Sequence, residues 1–187
     1  IYALGDVSGA HFNPAVTAAI FFSGRCADLD LVKAGKFMGA QLAGGVSAAL
    51  TYAYIYRFNT FSLGPNWGFS WWGVSIGELV FTFVLCYVVL CVAVSETTKA
   101  THLFGLAIGS CVTVGGFAIG GISGGSMNPA VSFGISALDA INHGPLYKPF
   151  VYSAVELTAG AAAAAVFKIT HDVDVALPDG KTGKAEA

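Results

Sequence analysis

Charge is scarce in this sequence. Only 11% of its 187 residues are charged while 55% are hydrophobic, against about 25% charged in a typical soluble domain. That excludes an ordinary soluble globular protein. A formal net charge of −2, with no basic cluster, gives no surface for nucleic acid. The four cysteines, Cys26, Cys86, Cys91 and Cys111, lie in or beside apolar runs without metal-type spacing. They read as small packing residues rather than a disulfide framework or a metal centre. No Ser/His/Asp or Cys/His constellation is visible, so an enzyme is rejected. The 24 glycines follow no collagen-like period. Charge is confined to short segments separated by long neutral runs, the pattern of an all-α polytopic membrane protein.

One stretch occurs twice. Ser8-Gly9-Ala10-His11-Phe12-Asn13-Pro14-Ala15-Val16 returns as Ser123-Gly124-Gly125-Ser126-Met127-Asn128-Pro129-Ala130-Val131, identical at six of nine positions without a gap. Asn is a favoured helix N-cap and Pro fits the first helical position, where its missing N–H costs nothing. Each copy therefore predicts a loop turning into a short helix, the first over Phe12 to Phe22 and the second running to Leu138. About ten residues make ~15 Å of helix, half the hydrocarbon thickness of a bilayer.

Between and after these half-helices the apolar runs predict full spans at about Ala34–Ile55, Gly73–Val94, His102–Ile122 and Tyr147–Lys168. Gly35/Gly39, Gly105/Gly109 and Gly116/Gly120 supply the small-residue spacing that lets helices approach closely in lipid. Trp67, Trp71 and Trp72 suggest an interfacial aromatic belt. Residues 1–168 form one channel-like domain in this reading, and 169–187 a polar, disordered tail.

Three spans separate the two copies, so the second enters from the opposite face, which is an inverted repeat. Two spans precede the second copy and almost nothing precedes the first. Equivalent halves therefore imply two further spans ahead of Ile1. Arg25, Lys33, Lys36, Lys99, Lys168, Lys181 and Lys184 fall on one side and Arg57 and Lys148 on the other. The positive-inside rule then puts the first group, and the C-terminus, in the cytoplasm.

Irregular backbone at membrane depth must line a cavity or be buried in protein. Two half-helix N-termini, each carrying roughly half a positive charge, would repel cations at the midplane while passing neutral molecules. If each Asn oxygen caps its own helix, its NH2 is left free to donate into a lumen.

The doubled Asn-Pro-Ala, the approach Ser8-Gly9-Ala10-His11, the three intervening spans and Glu78 resemble the aquaporin (major intrinsic protein) family over residues 1–168. The resemblance implies a six-helix bundle with two re-entrant half-helices, a homotetramer in the lipid bilayer with one pore per subunit, and passive flux of water or small neutral solutes without a cofactor. It implies Asn13 and Asn128 as midplane donors, with Pro14, Ala15, Pro129 and Ala130 completing the motifs. Gly9, Ala10, His11, Gly124, Gly125 and Ser126 would offer pore carbonyls, and Glu78 would accept hydrogen bonds from a re-entrant loop.

The departures carry information. Val131 stands where the family usually has Arg. The other visible filter positions fall on Gly116 and Gly125, so the filter reads as wide and uncharged, suited to glycerol, urea or ammonia. Ser132 stands where glycerol-conducting relatives carry Asp. Losing the Arg is expected to weaken exclusion of protons or cations, and a non-conducting structural paralogue is the other alternative. His11 reads as a loop histidine bonded to backbone. Glu156, where relatives often have Gly-Pro, divides evenly between a packing role and a pore-related one.

Overall fold

The computed structural model describes residues 1–171; most of the tail expected over 169–187 lies outside them. A single turn, α1 (Gly5–Ser8), precedes the first half-helix α2 (Pro14–Ser23). Then come α3 (Leu31–Ile55), α4 (Trp71–Val89, continued by a π-helical turn, Leu90–Val94), α5 (Phe104–Ser123), the second half-helix α6 (Pro129–Asp139) and α7 (Lys148–Thr170).

The caps explain the boundaries. Asn13 Oδ1 accepts from Ala15 N at 2.8 Å and Asn128 Oδ1 from Ala130 N at 3.0 Å, so each half-helix begins at its proline, the first two residues later than expected. Asp30 Oδ1 accepts from Lys33 N at 2.7 Å, which starts α3 at Leu31 instead of Ala34. Helix α7 runs past the expected limit of Lys168 to Thr170.

Three described helices are long and apolar enough to cross a membrane: Trp71–Val94, Phe104–Ser123 and Lys148–Thr170. Helix α3, expected as a full span, has the length at 25 residues but not the apolarity. Lys33, Lys36, Gln41, Ser47 and Thr51 dilute it, and of these only Gln41 lines a cavity.

The half-helices are seated by glycine. A Cβ on Gly134 of α6 would lie 2.5 Å from the Gly45 carbonyl oxygen of α3, and one on Gly160 of α7 would lie 2.6 Å from the Ala15 oxygen of α2. Each half-helix thus packs backbone to backbone on a long helix, as small residues permit in lipid. Buried Leu85, Cys86, Val89 and Leu90 of α4 close the core with Ala163, Ala164 and Phe167 of α7. Trp67 and Trp72 are exposed, whereas Trp71 packs edge-on against Tyr152, so two of the three tryptophans remain for a belt.

Candidate functional site

The two approach loops share one backbone pattern. φ is positive at Gly9, Ala10 and Phe12 (71°, 47° and 50°) and at the matching Gly124, Gly125 and Met127 (92°, 66° and 49°). Left-handed conformation costs an L-residue roughly 1–2 kcal/mol, so Ala10, Phe12 and Met127 are held there by what their backbones bind. The Phe12 carbonyl accepts from Asn128 Nδ2 at 2.9 Å, and the Met127 carbonyl accepts from Asn13 Nδ2 at 2.8 Å. The half-helices therefore clasp each other tip to tip. This corrects the expectation of a free NH2: each amide commits one N–H to the opposite loop and keeps the second.

Glu78 of α4 is fully buried and grips the second loop. Its Oε1 accepts from Ser123 Oγ at 2.6 Å and Ser126 N at 3.0 Å, and its Oε2 from Met127 N at 2.7 Å. Glu156 of α7, equally buried, takes the next amide. Its Oε1 lies 3.0 Å from the Asn128 N it accepts from, and 3.2 Å from Ser132 Oγ. Three consecutive N–H groups at the second half-helix are thus bound by two carboxylates. Tyr152 OH donates to the Ser123 carbonyl beside them.

The first loop is held without charge. His11 Nδ1 meets Thr17 Oγ1 at 3.2 Å, Gln41 Nε2 donates to the same hydroxyl at 2.9 Å, and Thr17 Oγ1 reaches the Asn13 carbonyl at 3.1 Å. His11 therefore pairs with a side chain, not with backbone as expected, and it packs edge-on against Phe37. Sequence reasoning singled out neither Thr17 nor Gln41; Thr17 sits one turn into α2, facing back toward its own cap.

Open space runs along these residues. A cavity of about 440 Å³ is lined by Gly9, Ala10, His11, Asn13 and Asn128 and reaches Arg25 and Lys99. A second, of about 470 Å³, shares His11, Phe12 and Asn128 with it and is walled by Gln41, Gly44 and Val131. A third, of about 230 Å³, shares Gly45, Ala48 and Val131 with the second and ends among Tyr52, Thr60 and Phe61. The clasp sits where the first two meet.

The filter residues are distributed unequally. Val131 lines two of these cavities, while Gly116 and Gly125 line none of the three. They face each other instead, a Cβ on Gly125 falling 3.2 Å from Gly116 Cα, whereas a Cβ on Gly116 would meet open space. Gly124 and Ser126 likewise line none of the three cavities, and Ser126 is committed to Glu78 through its N–H. Among the described residues no cluster of His, Cys, Asp or Glu could hold a metal ion.

An all-helical membrane bundle, in which two inverted, asparagine-capped half-helices meet between cavities, has the architecture of a re-entrant channel protein. The profile of the Major intrinsic protein family matches residues 1–171, and the chain belongs to that family, whose members are channels rather than enzymes. It is 38% identical over 136 residues to an aquaporin NIP2-1 from rice, covering 72% of this chain and 44% of that one. To a probable NIP-type aquaporin of Nicotiana alata it is 33% identical over 181 residues, covering 93% and 62%. To the aquaporin AqpM of Methanothermobacter thermautotrophicus it is 31% identical over 163 residues, covering 79% and 63%. The chain thus spans less than two thirds of these relatives. The X-ray structure of the aquaglyceroporin from Plasmodium falciparum superposes with a TM-score of 0.69 at 27% identity, over 90% of this chain and 74% of that one.

Proposed function

We propose that the full-length protein is a passive channel for water and small neutral solutes, working as a homotetramer with its C-terminus in the cytoplasm. The observation that carries this reading is the clasp of Asn13 and Asn128, set where two cavities meet. Each asparagine keeps one N–H for a solute oxygen, while two helix N-termini raise the barrier to cations. Gly9, Ala10 and His11 supply acceptors on one approach. A filter of Gly116, Gly125 and Val131, lacking the usual Arg, is uncharged and built of small side chains, which suits a neutral solute such as glycerol. The relatives' names as aquaporins and an aquaglyceroporin support the channel class.

Stopped-flow light scattering on proteoliposomes of the full-length protein tests it, comparing a sucrose gradient with a glycerol gradient. Fast flux of both supports a wide filter. Water flux with glycerol excluded refutes the wide filter and keeps the channel. Flux of neither refutes the channel in favour of a structural paralogue.

A further inference from the structure

Behind the second half-helix, three oxygen–oxygen contacts run in series. Glu156 Oε1 lies 3.2 Å from Ser132 Oγ, Ser132 Oγ lies 2.7 Å from Ser126 Oγ, and Ser126 Oγ lies 3.0 Å from the Asn128 carbonyl oxygen. A hydrogen bond between two oxygens needs one hydrogen, and of the three contacts the one to Glu156 is the longest. The carbonyl supplies none and the two hydroxyls supply one each. Two hydrogens cannot fill three contacts. With Glu156 ionised, one pair of buried oxygens faces each other bare. With Glu156 protonated the count closes: the acid donates to Ser132, Ser132 to Ser126, and Ser126 to the Asn128 carbonyl. Glu156 is fully buried, its Oε2 has no partner, and neither do the buried hydroxyls of Thr82 and Ser153 on α4 and α7.

The elements packed against α7 bring Glu156 no cation. Helix α4 sets Glu78 and Cys86 within electrostatic reach, and Tyr152 lies one turn earlier on α7. Helix α2 carries no ionisable side chain, the π-helical turn only Cys91, and α6 only Asp139 at its far end. No Lys or Arg stands on α2, α4 or α6 to offset a second anion, and an unpaired charge at membrane depth is costly.

We propose that Glu156 is the charge-selectivity residue of this chain, a proton-loaded acid behind the second half-helix whose ionisation lowers the barrier to protons. The proposal rests on the channel reading above. Ionisation releases the proton through Ser132 and Ser126, which is 8% exposed although it lines none of the three cavities, to water, and no other bond changes. The carboxylate left behind sits on the Asn128 N–H and offsets the positive end of α6, where Val131 supplies no cation to replace it.

The test uses the full-length protein in liposomes, measuring voltage-driven proton permeability at equal pH on both sides, alongside osmotic water flux and the infrared carbonyl band of a protonated carboxyl group. Wild type is expected to show that band at neutral pH, and a proton permeability that rises about tenfold as the band titrates away. Glu156→Gln, a neutral mimic that keeps a donor and an acceptor, is expected to lose the band and stay at the low-pH proton permeability at every pH. Ser126→Ala leaves one hydroxyl for one contact, which satisfies the ionised form, so the band should titrate at lower pH. That variant keeps the proposal testable if Glu156→Gln does not fold. No Glu156 band, an unshifted band in Ser126→Ala, or a Glu156→Gln profile that follows wild type would each overturn the proposal with water flux still present. Absence of water flux in wild type overturns the channel reading and the selectivity role together.

Discussion

Replacing Glu78 by Gln should release the second loop, and the size of the loss can be worked from its three hydrogen bonds. Gln can still accept at one oxygen, so the contacts from Ser126 N and Ser123 Oγ at 3.0 and 2.6 Å survive as neutral bonds. The change from charged to neutral acceptor costs about 1 kcal/mol each. The amide NH2 then faces the Met127 N–H that bonded Oε2 at 2.7 Å. A buried donor left unpaired costs ~1–3 kcal/mol. Removing a buried charge relieves desolvation and returns part of this, so the net loss is ~2–4 kcal/mol. Thermal unfolding of the purified full-length protein in detergent reads it. Thr82→Val, one turn along α4, is the control: Thr82 Oγ1 is buried without a partner, so the valine should be neutral or stabilising by up to ~1 kcal/mol. A Glu78→Gln variant as stable as wild type, or a Thr82→Val variant more damaged than Glu78→Gln, would refute the reasoning.

Gly134→Ala should destabilise by ~1–3 kcal/mol, since its methyl group meets the Gly45 carbonyl of α3 and neither backbone can yield cheaply. Gly116→Ala projects into open space, so it should leave the melting temperature unchanged or higher, and should cut glycerol flux more than water flux. Asn13→Ala removes the cap to Ala15 N and the clasp to the Met127 carbonyl, about 2 kcal/mol together, read by detergent unfolding. Val131→Arg places a cation between two of the cavities; glycerol flux and any proton current should both fall, and an unchanged proton current would show that this position does not set charge exclusion.

The half-helices and their inversion were legible because capping and period are local. Asn-Pro-Ala names its own N-terminus, and the apolar run after it has a countable length. Tertiary pairing was not legible. Nothing in Phe12 or Met127 announces a left-handed backbone, since large residues there are strained and are held by the asparagine of the other copy, more than a hundred residues away, and at Met127 by Glu78 as well. For the same reason the amides were read as free. Helix α3 has the length of the span expected from its apolar run, and its lower apolarity comes from scattered polar residues of which only Gln41 lines a cavity. Glu156 stayed undivided because its partners, Asn128 N and Ser132, belong to the other side of a helix packing that spacing does not reveal.

The two halves are symmetric in backbone and asymmetric in charge. Both loops repeat the same left-handed pattern, and each tip is held by the other's asparagine. The second tip rests on Glu78 and Glu156, whereas the first rests on Thr17, Gln41 and His11, and among the described residues no carboxylate hydrogen-bonds it. A helix N-terminus presents a fixed partial positive charge of about +0.5, so a fully ionised pair of carboxylates at α6 would more than cancel it. The barrier to cations would then depend on α2 alone, and no arginine follows Ala130 to restore it. Keeping one of the two acids protonated removes that difficulty: Glu156, with an unpartnered oxygen and a hydroxyl chain one hydrogen short, carries the proton.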